Sequence, residues 1–344
     1  MGEALDSLGL LEVTLGLPEQ VAAAAEAAAS VTGLPAHDDI ENVVVLGMGG
    51  SGIAGDVLTV VAGPFMPVPV VVHKGYGIPN FIDEHTLVVA SSFSGNTEET
   101  VEAATEAAMA GGRIVVVATG GELAGLAADW GAPVVPVDPS IPMPRAALGA
   151  MAIPLLVLME AVGFYPGARA WIAAAVDQLT RRRDQLAGDD NLAVDVARRI
   201  GRTMPLVYGG GGIGQVAALR FKNQVNENAK APAFHNVQPE LCHNELCAWG
   251  QHGDVTRQVF HLLNLRHDFE HPQVMRRFDL VSDIMREVVG GVDELVAEGE
   301  GSLAQLLDLV LMGDLVSLHL AFQAGVDPGP IPILVDLKAA LAQD

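Results

Sequence analysis

The 344-residue chain is long enough for two domains and for a sizeable buried core. It carries 19 basic and 42 acidic side chains, and the net charge of −23 argues against nucleic acid or an anionic membrane as a partner. Its two cysteines, Cys242 and Cys247, are too few for a disulfide framework, so a reducing cytoplasm fits.

The N-terminal segment has a helical pattern and does not resemble a targeting signal. Residues 1–6 lack the basic start and apolar core of a signal peptide. The alanine run at 22–29 has high helix propensity and small side chains for close packing. We therefore expect a cytoplasmic protein whose first 30 residues are largely helical.

A glycine-rich turn follows the first predicted strand. Residues 43–46 are apolar, as in a strand buried on both faces of a parallel sheet. Five glycines at 47–55 allow a sharp turn, and the apolar run 57–61 predicts a helix after it. A helix N-terminus after such a turn attracts anions, and Ser51 adds a hydroxyl where a phosphate could sit. A purely structural turn is the competing interpretation, because a single glycine motif is weak evidence.

The same glycines also fit the G-x-G-x-x-G pattern of dinucleotide-binding folds. Such a fold needs an acidic residue near the end of its second strand to hold the ribose hydroxyls. The second predicted strand, residues 67–73, ends instead at His73 and Lys74. The chain therefore disfavours a dinucleotide-dependent oxidoreductase.

Three hydroxyls cluster after the third predicted strand, residues 86–90. Ser92, Ser94 and Thr97 lie at the start of an alanine-rich helix predicted over 98–110. Clustered hydroxyls and free backbone N–H groups bind phosphate without any positive charge. Any one of these residues could instead be the N-cap of the helix.

Strands and helices alternate along the chain in a pattern typical of a doubly wound sheet, with a fourth strand at 113–118. Residues 165–200 are polar and arginine-rich and predict a solvated helical connector. Residues 205–217 then repeat the plan of strand, glycine loop and helix, which indicates an internal duplication. The second loop lacks a serine equivalent to Ser51, so the two halves are not expected to bind ligand in the same way.

Three charged residues are candidates for chemistry. Arg145, between a proline-rich loop and an apolar helix, is either a snorkelling surface residue or a residue that faces an anion. Glu227 is the single acid of the polar helix predicted over 220–230, and His243 lies among acid and amide groups. Both could transfer protons, and capping or surface roles are the competing interpretation.

Cys242, His243 and Cys247 raise the question of zinc, but a tetrahedral site needs more ligands than this cluster offers, so we expect no metal. Residues 303–326 predict one or two buried helices. Asp308 interrupts their apolar run, which argues against a membrane span.

Together these motifs resemble the sugar isomerase (SIS) fold, and specifically the bifunctional phosphoglucose/phosphomannose isomerase family. The resemblance rests on Gly47–Gly52, Ser92–Thr97, Pro144–Ala146, Asn226–Lys230, His243–Glu245 and Lys338. It implies an α/β fold with two SIS-type subdomains, each a mainly parallel sheet flanked by helices. Residues 1–155 would hold the phosphosugar-binding loops, and residues 156–344 the base and the ring-opening residues.

The resemblance also implies a role for each site residue. Arg145 would stabilise the negative charge of the intermediate, Glu227 would be the base, and His243 with Lys338 would open the sugar ring. It implies a homodimer in which the histidine reaches the neighbour's active site, and neither cofactor nor metal. The residues that would bind the sugar 6-phosphate are Gly49, Gly50, Ser51, Ser92, Ser94 and Thr97.

The implied activity is a metal-independent interconversion of glucose 6-phosphate, mannose 6-phosphate or both with fructose 6-phosphate through a cis-enediol(ate). The alternatives are a non-catalytic SIS phosphosugar-binding regulator and, less favoured, a dinucleotide-dependent oxidoreductase. Two positions depart from the family pattern. Ala54 stands where glycine is common, and Gly329 stands where a small hydroxyl residue is expected, which puts the sugar preference in question.

Overall fold

The computed structural model describes residues 5–341, which form nine strands and thirteen α-helices. The strands are β1 (Asn42–Leu46), β2 (Val70–His73), β3 (Thr86–Ser91), β4 (Arg113–Ala118), β5 (Val134–Pro136), β6 (Met204–Gly210), β7 (Phe234–Gln238), β8 (Phe260–Arg266) and β9 (Gly291–Val296). The helices are α1 (Leu10–Leu15), α2 (Leu17–Ala29), α3 (Gly49–Val61), α4 (Glu98–Met109), α5 (Gly121–Trp130), α6 (Leu148–Val162), α7 (Ala168–Leu186), α8 (Leu192–Ile200), α9 (Gly211–Gln224), α10 (Gly253–Val259), α11 (Pro272–Met285), α12 (Ser302–Ala324) and α13 (Pro332–Leu341).

The chain divides into two compact units, each built on one sheet. The first-sheet unit comprises Gly16–Arg183 and Ala297–Asp308. The second-sheet unit comprises the described residues of Met1–Leu15, Asp184–Val296 and Leu309–Asp344. The predicted boundary of the SIS subdomains after residue 155 stays a prediction.

The first-sheet unit holds five parallel strands in the order β2-β1-β3-β4-β5. Its central strands are apolar runs that are buried on both faces, as parallel strands covered by helices require. After β1 the chain moves to β2 on one side and then to β3 on the other. The carboxyl ends of β1 and β3 therefore form a topological switch point, where open α/β sheets bind their ligands.

Glycines let α3 lie unusually close to this sheet. A Cβ at Gly55 would lie 2.9 Å from a methyl of Val72, and a Cβ at Gly52 would lie 2.8 Å from the carbonyl oxygen of Gly47. The helix therefore begins at Gly49, within the glycine run, rather than at the predicted Val57. Close helix–sheet packing outweighs the low helix propensity of glycine here.

The second-sheet unit holds four parallel strands in the order β7-β6-β8-β9. Its first strand and helix also approach each other closely at a pair of glycines. A Cβ at Gly209 would lie 1.9 Å from the carbonyl oxygen of Gly214. Gly47 and Gly52 have the same five-residue separation. The two parallel sheets confirm the predicted α/β fold, and this shared contact supports the predicted duplication.

Two predictions about helices differ in outcome. By length and composition α12 could cross a membrane, but 94% of its apolar window is buried within the protein, as predicted for a core helix. The prediction of a solvated connector over 165–200 was wrong, because α7 buries Ala168, Ile172 and Leu179. Its Arg182 is also buried, because the guanidinium lies 3.3 Å from the buried carboxylate of Asp308. Ion pairing allows an arginine-rich helix to pack inside.

Candidate functional site

The hydroxyls after β3 are organised around Ser92. Its Oγ is buried, lies 2.8 Å from the Oγ1 of Thr97 and accepts a hydrogen bond from the backbone nitrogen of Gly95 at 3.1 Å. Thr97 occupies the N-cap position of α4, but its side chain makes no capping bond. Thr97 is therefore the N-cap residue by position, as the competing interpretation expected, but its hydroxyl contacts Ser92 and makes no capping bond.

Ser94 is exposed at the tip of the same loop. Its Oγ accepts from the backbone nitrogen of Asn96 at 3.2 Å, and the Asn96 side chain accepts in turn from the nitrogen of Glu122 at 2.9 Å. Gly95 has φ of +69°, and a Cβ there would lie 1.8 Å from the carbonyl oxygen of Gly120. The loop is held against the start of α5 and presents Ser94 outward.

Ser51 connects this loop to the glycine turn. It lies in the first turn of α3, where it is buried, and its Oγ accepts from the backbone nitrogen of Phe93 at 3.3 Å. A Cβ at Gly47 would lie 2.9 Å from the carbonyl oxygen of Ser91, so the two loops are in close contact. The structure thus brings Ser51, Ser92 and Thr97 together at the switch point of the first sheet.

Arg145 lies beside the start of α3. It sits in the 3₁₀ turn Pro144–Ala146, and a Cβ at Gly50 would lie 3.3 Å from the carbonyl oxygen of Pro144. Gly49 has φ of +51°, which favours glycine at the helix start. Arg145 is only 4% exposed. The snorkelling interpretation is therefore wrong, because the guanidinium of Arg145 is buried within the first-sheet unit.

Lys74 is a cation near α3 that sequence reasoning treated only as an argument against dinucleotides. Its Nζ donates to Asp56 of α3, and its Cε would lie 3.0 Å from a Cβ at Gly52. Burial raises the pKa of Asp56, and the hydrogen bond and charge of Lys74 oppose that rise. Only the fold could identify this ion pair, because nothing in the local pattern relates positions 56 and 74.

Glu227 lies on a π-helical turn rather than on the regular helix predicted over 220–230. The α-helix α9 ends at Gln224, and a π turn spans Val225–Ala229. Lys230 follows with φ of +54°. Its Nζ donates to the carbonyl oxygens of Glu227 at 2.7 Å and Pro328 at 2.8 Å. Such turns occur frequently at functional sites.

His243 is exposed at the end of the 3₁₀ turn Glu240–His243. The segment is anchored by Glu245, which belongs to the family motif His243–Glu245 but was given no role from the sequence. Its carboxylate accepts from the hydroxyl of Tyr208 and, at 2.6 Å, from Nδ2 of Asn236. Burial, together with the bond to Glu245, raises the pKa of Tyr208. A tyrosine that is buried on a central strand needs a hydrogen-bond partner for its hydroxyl. Tyr208 was therefore the feature of the sequence that could have pointed to a nearby acid such as Glu245.

Lys338 lies on α13, whose residues are all at least partly exposed. Within the second-sheet unit, Glu227, His243 and Lys338 thus lie on three separate elements. Gly329 packs on Leu8, since a Cβ there would lie 2.8 Å from its Cγ. This contact gives a steric reason for the absence of a larger residue at this position.

The two cysteines near His243 do not belong to a group of side chains arranged as metal ligands within the described residues. The Sγ of Cys242 donates to Oε1 of Gln238 at 3.1 Å, and burial raises the pKa of this thiol. Over residues 5–341, the structure contains no group of three or more His, Cys, Asp or Glu side chains placed to hold a metal ion.

Residues 189–341 match the family model for the bacterial phospho-glucose isomerase C-terminal SIS domain. A bifunctional phosphoglucose/phosphomannose isomerase from Caldicellulosiruptor bescii is 35% identical and covers 97% of this chain and 99% of its own length. One from Thermoplasma volcanium is 30% identical, covering 88% and 92%. In fold alone, the C-terminal domain of glucosamine-fructose-6-phosphate aminotransferase from Francisella tularensis is similar, with a TM-score of 0.69, 15% identity and coverage of 92% and 96%.

These findings confirm the resemblance on which the sequence interpretation rests. The relative from Caldicellulosiruptor bescii aligns over nearly the full length of both chains, so the likeness includes both sheets. The chain belongs to the bifunctional phosphoglucose/phosphomannose isomerase family.

Proposed function

We propose that the protein interconverts glucose 6-phosphate and mannose 6-phosphate with fructose 6-phosphate. The observation that carries the proposal is the hydroxyl cluster of Ser51, Ser92 and Thr97 at the switch point of the first sheet, in a chain of this family. Relatives that are 35% and 30% identical bear the name bifunctional phosphoglucose/phosphomannose isomerase.

The substrate phosphate is bound by local donors, because the net charge of −23 repels anions at long range. Ser92, Ser94 and Thr97 supply hydroxyls at the start of α4, and the backbone N–H groups of the first turn point along a favourable dipole. Gly49, Gly50 and Ser51 contact the sugar from the start of α3. The steric demand for glycine there allows the backbone to approach a ligand closely.

The reaction moves a proton between C2 and C1 of the open-chain sugar. Glu227 removes the C2 proton and returns it to C1, which leaves a planar cis-enediol(ate) between the two steps. Arg145 stabilises the developing oxyanion without losing its own proton. His243 and Lys338 open the ring before this transfer. No step in this sequence calls for a metal or a cofactor.

Dual specificity follows from the intermediate, in which C2 has lost its stereochemistry. Rotation about the C2–C3 bond then lets the proton return to either face, which yields glucose 6-phosphate or mannose 6-phosphate. Gly329 leaves the sugar without a hydroxyl contact at that position, and Leu8 restricts what else fits there. The ratio of the two products is therefore expected to be specific to this chain.

We further propose a cytoplasmic homodimer in which each active site takes His243 from the partner subunit. The exposure of His243 at the end of a short 3₁₀ turn supports this arrangement, because the side chain is free to extend outward. A two-fold dimer would contain two identical composite sites.

The experiment that tests the function supplies fructose 6-phosphate with excess chelator and measures both aldose products by coupled assays. Turnover to both products is expected. Binding without turnover would favour the phosphosugar regulator, and a fluorescence change of NADH or NADPH on addition of protein would favour the oxidoreductase. Loss of turnover in chelator would contradict the metal-independent mechanism.

A further inference from the structure

A buried polar network lies directly behind the π turn of Glu227. Arg220, Gln224 and Asn228, spaced four residues apart, form one stripe along α9 and the π turn, and none is more than 3% exposed. Asp314 and Ser317 of α12 face this stripe and are also buried. Buried polar groups are costly unless they are fully paired, so each member must have hydrogen-bond partners.

The network is continuous from α9 through α12 to the π turn. Arg220 donates to both carboxylate oxygens of Asp314, from Nε at 3.1 Å and from Nη2 at 2.6 Å. Ser317 donates from Oγ to the backbone oxygen of Asp314 at 2.6 Å. The same Oγ accepts from Nδ2 of Asn228 at 2.9 Å. The hydroxyl of Ser317 therefore links α12 to Asn228, the residue that follows Glu227.

The peptide carrying Glu227 is held from two directions. On one side, the Asn228 side chain is tied to Ser317. On the other, Nζ of Lys230 binds the carbonyl oxygens of Glu227 at 2.7 Å and Asn228 at 3.4 Å. A π turn replaces the i→i+4 hydrogen bonds of an α-helix by wider i→i+5 bonds. Contacts from outside the turn therefore add to the restraints on its side chains.

We propose that Asn228, through its hydrogen bond to Ser317, is a positioning residue that holds the Glu227 carboxylate in the orientation needed for proton transfer. The inference rests on the proposed role of Glu227 as the base. The Arg220–Asp314 pair already joins α9 to α12 through two hydrogen bonds. The additional Asn228–Ser317 bond acts on the peptide next to the base, where a small displacement of the carboxylate slows proton transfer.

The chain offers a matched control. Asn264 on β8 donates from Nδ2 to the Oγ of Ser282 on α11 at 2.8 Å, and both residues are buried. This pair has the same chemistry and nearly the same length as the Asn228–Ser317 pair. Neither β8 nor α11 carries a proposed site residue, so its loss reports the structural effect alone.

The test compares Ser317→Ala with Ser282→Ala in the full-length protein. Both variants are expected to lower the melting temperature to a similar extent. Ser317→Ala alone is expected to lower kcat about ten- to hundredfold with an unchanged KM for fructose 6-phosphate. Exchange of the C2 proton with solvent should fall in parallel. Ser317→Thr, which keeps the hydroxyl, should restore most of kcat.

Equal effects of the two alanine variants on kcat would overturn the positioning role, as would an unchanged kcat in Ser317→Ala. If Glu227→Gln is inactive in that case, the proposed base still stands. An active Glu227→Gln would instead overturn the base and the positioning role together. Should Ser317→Ala fail to fold, Asn228→Ala and Asn264→Ala provide the same comparison from the other side of each bond.

Discussion

The Oγ of Ser51 lies 3.3 Å from the backbone nitrogen of Phe93, and this hydrogen bond joins the start of α3 to the loop after β3. It connects the two segments that flank the switch point of the first sheet. The shape of this loop is therefore fixed both by the hydrogen bond to Ser51 of α3 and by the contact between Ser92 and Thr97 within the loop. A preformed set of donors loses little entropy when it binds a phosphate.

Ser94→Ala is expected to weaken sugar-phosphate binding by about 1–3 kcal/mol, the size of one charge-assisted hydrogen bond. The side chain is exposed at the loop tip, so its removal leaves the fold intact. The measurement is KM for fructose 6-phosphate together with the inhibition constant of a sugar phosphate. Ser30→Ala, at another exposed serine of the first-sheet unit, is the control. Unchanged constants in Ser94→Ala would contradict hydroxyl-based phosphate binding.

Glu227→Gln is expected to abolish proton transfer and leave binding nearly intact, because the amide keeps the shape of the side chain and removes its basicity. The readout is exchange of the C2 proton of glucose 6-phosphate with deuterated solvent. Glu287→Gln, at an exposed acid two residues after the end of α11, serves as the control. Substantial exchange in Glu227→Gln would mean that another group is the base.

Gly55→Ala is expected to lower the free energy of unfolding by about 1–3 kcal/mol, because the new methyl group would overpack the contact of α3 with β2. A Cβ at Gly55 would lie 2.9 Å from a methyl of Val72. Gly125→Ala on α5 meets no atom within 4 Å and should raise the same free energy by about 0.5–1 kcal/mol. Denaturant unfolding measures both. Destabilisation of equal size in the two variants would indicate a general cost of alanine rather than overpacking.

Shared active sites predict complementation between inactive variants. In a dimer of one Glu227→Ala chain and one His243→Ala chain, one composite site carries both substitutions and the other carries neither. Random reassortment makes half of the dimers mixed, so activity should recover to about a quarter of wild type. The experiment remixes the two variants after mild denaturation and confirms dimers by size exclusion. If activity did not recover, each active site would be formed by residues of a single chain.

The local pattern of the chain was enough to predict most of the fold and to single out several candidate site residues. Apolar runs at 43–46, 86–90 and 113–118 predicted the strands, since a strand buried on both faces is apolar throughout. Ser92 and Thr97 were recognised because hydroxyls at a strand-to-helix junction lie close together in sequence. The family resemblance then made the candidate roles of Arg145 and Glu227 specific, as stabiliser of the intermediate's charge and as base.

The tertiary structure decided what depends on partners far apart in sequence. Burial of Arg145 beside Gly50, the Asn228–Ser317 bond behind the π turn and the anchoring of the His243 segment by Glu245 could not be read from the chain. Sequence periodicity reports which side of an element is buried. It does not report which distant group a polar side chain will meet, because that depends on how helices pack on strands, and here that packing set the start of α3 and the end of α9.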